Sequence, residues 1–186
     1  MKKLFFLPLL FLSIFTTKMI YAQKGIVKRT ITLGTIKSAD AYRAMSRKLN
    51  YGLERADRIL NQVPFAQTET QVTICILTLR DLGFDTNVTY KQVCQRALQM
   101  GYHLCPAEVG PALRLQYTNQ PNWVPLDIAM QPILAQDGNM YTFAVEHINS
   151  SSDTRSNWLD CDFWDSSMEN WASWFPNDHF VFMCSK

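Results

Sequence analysis

The sequence predicts an α+β fold in which N-terminal helices pack on a small, mostly antiparallel sheet of about four strands. Apolar residues at helical spacing dominate the chain before Tyr117, whereas short β-branched or alternating segments dominate after it. Turn-forming residues separate the later segments. Helices and strands that occupy separate runs of a 186-residue chain are typical of the α+β class.

The N-terminus has the features of an export signal, so we expect residues 1–22 to form a signal peptide. Lys2 and Lys3 precede an apolar core from Leu4 to Phe15, and Ala22 ends the segment. The core is too short to span a bilayer. The cleavage context is imperfect, which leaves an uncleaved N-terminal anchor as the alternative. We therefore expect an exported protein, periplasmic or extracellular, with no transmembrane helix after cleavage.

Residues 23–186 are predicted to form one domain, with residues 23–37 as a loose N-terminal arm. Residues 1–22 hold three of the 18 basic residues and no acid, which leaves 15 basic and 16 acidic residues. Without a basic excess, nucleic-acid binding is not expected. Charge is also uneven, since residues 23–60 hold nine bases and three acids, while residues 61–186 hold six and thirteen. The two parts should attract each other.

Local signals predict helices in the first two thirds of the chain. Ser38 is a favourable N-cap for a helix from about Ala39 to Asn61. Thr89 and Gln92 form a capping box for a second helix, which Gly101 ends. A third, short helix begins at Pro106. The apolar positions of the first helix recur every three or four residues: Tyr42, Met45, Leu49, Leu53, Ala56 and Leu60.

Strand signals begin with Val72 to Leu79, an almost wholly apolar segment that predicts a central strand and a buried Cys75. Further strands are predicted at Trp123 to Ile133, Met140 to Ile148, Trp158 to Trp164 and His179 to Cys184. Asp137-Gly138-Asn139 predicts a hairpin turn. The later strands are expected to form an antiparallel meander, with the helices on one side.

One segment resembles a known group of sequences. The run from Leu104 to Tyr117, Leu-Cys-Pro-Ala-Glu-Val-Gly-Pro-Ala-Leu-Arg-Leu-Gln-Tyr, resembles a family of uncharacterised bacterial hypothetical proteins. The resemblance extends over roughly Val72 to Met183. It implies a single domain of bacterial origin and no established activity, catalytic residue or ligand.

Five cysteines in an exported chain allow two disulfides and one free thiol. Cys161 and Cys184 lie in neighbouring predicted strands, so they are the first expected pair. Cys94 and Cys105 are the second, with Cys75 as the buried thiol. The family resemblance weighs against the second pair, because relatives that look cytoplasmic have a cysteine at the Cys105 position.

Cys105, His147 and Asp160 suggest a papain-like thiol hydrolase, with Asn157 as an alternative to Asp160. In that hypothesis a helix N-terminus lowers the thiol pKa, the imidazole accepts the thiol proton, and the third group orients the ring. The bland alternative is that Cys105, beside Pro106, is a packing residue.

Acidic residues cluster near the C-terminus, at Asp160, Asp162, Asp165 and Glu169. The first three could bind Ca²⁺ through oxygen ligands, although the glycine and the spacing of a calcium loop are absent. A pair of the carboxylates could cleave a glycoside. The simpler interpretation is a solvated acidic face that meets the basic first helix.

Aromatic residues are dense in the same region, and exposed rings there could stack on sugars. Trp171, Trp174 and Trp123 are the residues most expected to be exposed, whereas a buried role in the sheet is the alternative. The ring-bearing residues of the region are Trp158, Phe163, Trp164, Trp171, Trp174 and Phe175.

The sequence as a whole favours a non-catalytic binding or interaction module of the bacterial envelope or exterior, with an envelope glycan or protein as partner. The alternative function is a cysteine-dependent cell-wall hydrolase or peptidase. Phosphate loops and common hydrolase motifs are absent, and no cofactor is expected.

Overall fold

The computed structural model describes residues 26–53, 55–148, 157–164 and 174–184. Residues 1–22, the predicted signal peptide, lie outside this part. Each helix in the described part is too short or too polar to traverse a lipid bilayer. The described elements are β1 (Val27–Leu33), α1 (Ala39–Lys48), α2 (Asp57–Leu60), β2 (Thr70–Thr78), α3 (Tyr90–Gln99), α4 (Val109–Gln116), β3 (Leu126–Ile128), β4 (Ile133–Leu134), β5 (Met140–His147), β6 (Asn157–Trp164) and β7 (His179–Met183).

The sheet is larger than the predicted one and is not a meander. In the described residues seven strands form one sheet, in the order β1-β2-β7-β3-β5, with β4 and β6 also paired to β5. β3 and β7 are parallel, and the other pairs are antiparallel. The prediction of N-terminal helices on four antiparallel strands is therefore wrong. The predicted strand from Trp123 to Ile133 is divided into β3 and β4.

The sheet curls around α4. This helix contacts β1 at one end of the sheet and both β5 and β6 at the other. Gly110 permits the close approach, since a Cβ at this position would lie 2.7 Å from the Cβ of Phe143. A flat sheet could not bring both of its ends to one short helix.

Alternation along the strands supplies two cores, one on each face of the sheet. In β2, Ile74 and Ile76 pack in the core that contains α4, whereas Cys75 and Leu77 pack in the core that contains α3. In β7, Phe180 and Phe182 also belong to the core with α3. Because helices cover both faces, the predicted one-sided arrangement is wrong.

The first predicted helix is interrupted in the structure. Ser38 caps α1 as predicted, and its side chain accepts from the amide of Ala41. The helix ends at Lys48 because the chain turns at Asn50, where φ is 55°. Gly52 then pairs with Trp158 of β6, whose ring would leave no room for a Cβ. The long-range pairing interrupts the predicted helix between Lys48 and α2, where one helical turn resumes.

The expected loose arm contains a strand. Val27 to Leu33 pairs with β2 over its whole length, and the Gln116 side chain of α4 donates to the Thr32 carbonyl and accepts from the Thr32 amide, each at 2.8 Å. The capping box at Thr89 and Gln92 is confirmed. The turn at Gly138, with φ of 83°, also occurs where the sequence predicts it.

The structure corrects the predicted disulfides. Cys75 bonds to Cys184, while Cys94, Cys105 and Cys161 are thiols outside this disulfide. Cys161 cannot meet Cys184 because β3 and β5 separate β6 from β7. β7 instead lies beside β2, so Cys184 reaches Cys75 across adjacent strands. Cys75 is buried, as predicted, but it is not the free thiol.

Candidate functional site

An open pocket of about 670 Å³ lies where the 121–125 loop, β5 and the segment before β7 converge. Its volume is within the range of small-ligand sites in proteins. Aromatic and charged side chains line it, including Arg55, Trp123, Asp127, Glu146, Phe175 and Asp178. We refer to this cavity as the pocket.

Trp123 forms one wall of the pocket, and its backbone is strained. Its φ of 62° is in the left-handed region, where a bulky residue is a genuine outlier. The side chain is nevertheless 63% exposed, so burial of the ring does not compensate for the strain. Its amide donates to the carbonyl of His147 at 2.9 Å. Backbone strain of this kind concentrates at functional sites.

A buried polar network fixes the loop that carries Trp123. The Gln120 amide group donates to the carbonyls of Val124 and Val145 at 2.7 and 2.8 Å, so it joins the loop to β5. Its oxygen accepts from Arg114 of α4 at 2.6 Å. Arg114 also donates to the Glu146 carbonyl at 2.8 Å, and burial lowers its pKa. A change of the Trp123 backbone to a relaxed φ would shift this loop and would therefore disrupt the buried hydrogen bonds of Gln120.

The segment before β7 also lines the pocket. Phe175 is 59% exposed, and its amide donates to a carboxylate oxygen of Asp178 at 2.7 Å. The preceding residue, Trp174, is only partly buried, and its indole N–H donates to Asp127 at 3.1 Å. Backbone hydrogen bonds in both directions join Trp174 to Val88. These hydrogen bonds thus hold the segment of Trp174 and Phe175 together with the carboxylates of Asp127 and Asp178.

Arg55 links the pocket to β6 through a charge pair. Its guanidinium donates to both oxygens of Asp160, at 3.2 and 2.7 Å, and the carboxylate is largely buried. Arg58 similarly pairs with Asp137 at 2.8 Å. Both pairs join the basic segment, residues 23–60, to the acidic part of the chain. The predicted attraction between these parts is confirmed at these contacts.

Two of the three predicted ring residues line the pocket, although Trp174 is partly buried and not exposed as predicted. Trp123 and Trp174 both line it, whereas Trp171 lies outside the described residues. Sequence reasoning missed Phe175 as an exposed ring, and it missed Asp127 and Glu146 entirely. Pro121 and Pro125 around Trp123 were the available signal for a rigid loop. Asp127 lies in a strand of three residues, which is too short for a recognisable local pattern.

The residues of the thiol-hydrolase hypothesis are engaged in separate contacts. Cys105 is buried, its thiol lies 3.4 Å from the Val181 carbonyl, and burial raises its pKa. It precedes α4 by several residues instead of lying at the helix N-terminus. His147 does lie 3.0 Å from Asn157, as one version of the hypothesis requires. A buried thiol with a raised pKa is the opposite of an activated nucleophile.

The acidic cluster is only partly described. Asp160 is paired with Arg55, and Asp162 lies in β6, while Asp165 and Glu169 fall outside the described residues. Within the described part, no three histidine, cysteine or acidic side chains are grouped as metal ligands would be. Asp160 thus contacts the basic segment, but it is buried, not part of a solvated face, and its partner Arg55 lies beyond α1.

Comparison of the chain with protein-family models, curated proteins and solved structures finds no match. The resemblance to uncharacterised bacterial proteins stays a prediction.

Proposed function

We propose that this protein is an exported bacterial binding module and that the pocket binds a saccharide of the envelope or exterior. The observation that carries the proposal is Trp123. Its backbone is strained and its ring is exposed at the wall of a cavity large enough for sugar rings. The alternative, a cysteine-dependent hydrolase, has less support because Cys105 is buried and its pKa is raised.

The two exposed rings suit sugars chemically. Trp123 and Phe175 present apolar surfaces that could stack on the C–H faces of a sugar, while carboxylates nearby could accept its hydroxyl hydrogens. A site that combines apolar walls with a few oriented polar groups is typical of small-ligand recognition. The polar groups here are held by Trp174 and by the Phe175 amide.

The disulfide supports the export part of the proposal. Cys75–Cys184 closes a separation of 109 residues, and such bonds persist chiefly in oxidising compartments. The predicted signal peptide agrees with this location. A binding role at the cell exterior would place the pocket among polysaccharides and wall polymers.

Co-sedimentation with insoluble polysaccharides tests the proposal. Purified peptidoglycan, chitin, chitosan and cellulose are mixed with the wild type, with Trp123→Ala and with Phe175→Ala. We expect the wild type to sediment with at least one polymer, and each variant to bind it about tenfold more weakly because a stacking surface is lost.

Leu98→Ala is the matched control, since Leu98 is an exposed apolar side chain of α3 that does not line the pocket. It should bind like the wild type. Failure of the wild type to bind any of the polymers, or full binding by the Trp123→Ala and Phe175→Ala double variant, would refute the proposal.

A further inference from the structure

We propose that the pocket selects a cationic saccharide, one that carries free, protonated amino groups, over its neutral N-acetylated counterpart. The inference rests on the proposed function and adds the charge of the ligand. Among the described residues that line the pocket, Asp127, Glu146 and Asp178 are acidic, whereas Arg55 is the single lysine or arginine. The formal charge of this lining is therefore negative.

The ion pair that Arg55 forms offsets the one basic side chain of the described lining. Its guanidinium holds both oxygens of Asp160, and that carboxylate is only 12% exposed. The charge of Arg55 is thus offset by an acid just outside the lining. A bidentate pair of this type holds the guanidinium in a fixed direction. Among the described residues, the lining thus has more acidic than basic side chains.

The aromatic walls also favour a positively charged ligand. Aromatic faces attract ammonium groups within about 6 Å of the ring centre. Trp123 and Phe175 provide exposed rings at the pocket that Asp127, Glu146 and Asp178 also line. Rings and carboxylates together are suited to a ligand with sugar rings and protonated amines. An N-acetyl group would keep the stacking surface but lose the charge.

The hydrogen bonds of the site hold these groups in place. Trp174 donates to Asp127, and the Phe175 amide donates to Asp178. Both carboxylates are thus oriented by the segment that carries the exposed ring. A pre-arranged site loses less conformational entropy when it binds a ligand.

Calorimetric titration with two tetrasaccharides tests the inference. The probes are the glucosamine tetramer and the N-acetylglucosamine tetramer, each titrated into the full chain at low and at high salt. We expect the amino form to bind at least tenfold more tightly at low salt and to lose most of that advantage at high salt, because salt screens the charges.

Charge-only variants assign the effect to the pocket. Glu146→Gln and Asp178→Asn keep the side-chain shape, and each should weaken binding of the amino form about fivefold more than binding of the acetylated form. Asp40→Asn is the matched control, because it removes one acidic charge from an exposed residue outside the pocket. It should bind both probes like the wild type.

The outcomes separate this inference from the proposed function. Equal binding of both tetramers, or tighter binding of the acetylated one, overturns the charge inference and leaves saccharide binding intact. Loss of affinity in Asp40→Asn equal to that in Glu146→Gln also overturns it, since the charge effect would then not belong to the pocket. If neither tetramer nor any polysaccharide binds, both proposals fail.

Discussion

Trp174 and Phe175 are adjacent in sequence but belong to different aromatic regions of the molecule. Trp174 joins a buried ring cluster with Tyr90, Phe180 and Phe182, where ring centres lie 5.6 to 6.2 Å apart. Phe175 is 59% exposed and faces the pocket with Trp123. The aromatic residues that are dense in this part of the sequence therefore have two roles. The buried ring cluster packs against Trp174, and the neighbouring Phe175 presents an exposed ring at the pocket.

The largest expected effect comes from removal of a ring in the buried ring cluster. Phe180→Ala should lower the free energy of unfolding by about 4 kcal/mol, because it leaves a cavity at a fully buried position. Phe175→Ala is the matched control and should cost less than about 0.5 kcal/mol. Urea denaturation measures both. Similar losses in the two variants would mean that the regions are not energetically distinct.

The disulfide lies on the same face as the buried ring cluster. The Cys75→Ala and Cys184→Ala double variant should lose about 3 kcal/mol of stability, since the bond constrains a separation of 109 residues in the unfolded chain. Thermal unfolding of the variant and of the reduced wild type should show the same loss. A wild type that is indifferent to reductant would contradict the assignment of the bond to stability.

Trp174 connects the two regions, so its replacement should affect both. Trp174→Phe keeps most of the packing with Tyr90 and Phe180 but removes the indole donor to Asp127. We expect a stability loss of about 1.5 kcal/mol and weaker saccharide binding, because the carboxylate loses an orienting hydrogen bond. Denaturation and calorimetry on one preparation measure the two effects. Unchanged binding would show that Asp127 is not part of the site.

The smallest expected stability effect is at Trp123, and it separates strain from stacking. Trp123→Gly and Trp123→Ala both remove the ring, but only glycine relaxes the left-handed backbone at φ 62°. The glycine variant should therefore be more stable than the alanine variant by about 1 kcal/mol. Both should lose saccharide binding equally. An alanine variant as stable as the glycine variant would show that the backbone stores no strain at this position.

The sequence by itself determined the features that depend on near neighbours. The capping box of Thr89 and Gln92, the N-cap at Ser38 and the turn at Gly138 each involve residues within a few positions of one another. The almost wholly apolar composition of Val72 to Leu79 likewise indicated a central strand that is covered on both faces. Their energies arise within one helical turn or one hairpin, so local patterns are sufficient to predict them.

Only the tertiary structure decided which distant segments are neighbours. The antiparallel pairing of β7 with β2 decides that Cys184 bonds to Cys75 and not to Cys161. The parallel pairing of β7 with β3 brings the 121–125 loop to Phe175, which forms the pocket. Such pairings depend on the packing of a sheet around α4, and no stretch of sequence encodes that packing locally.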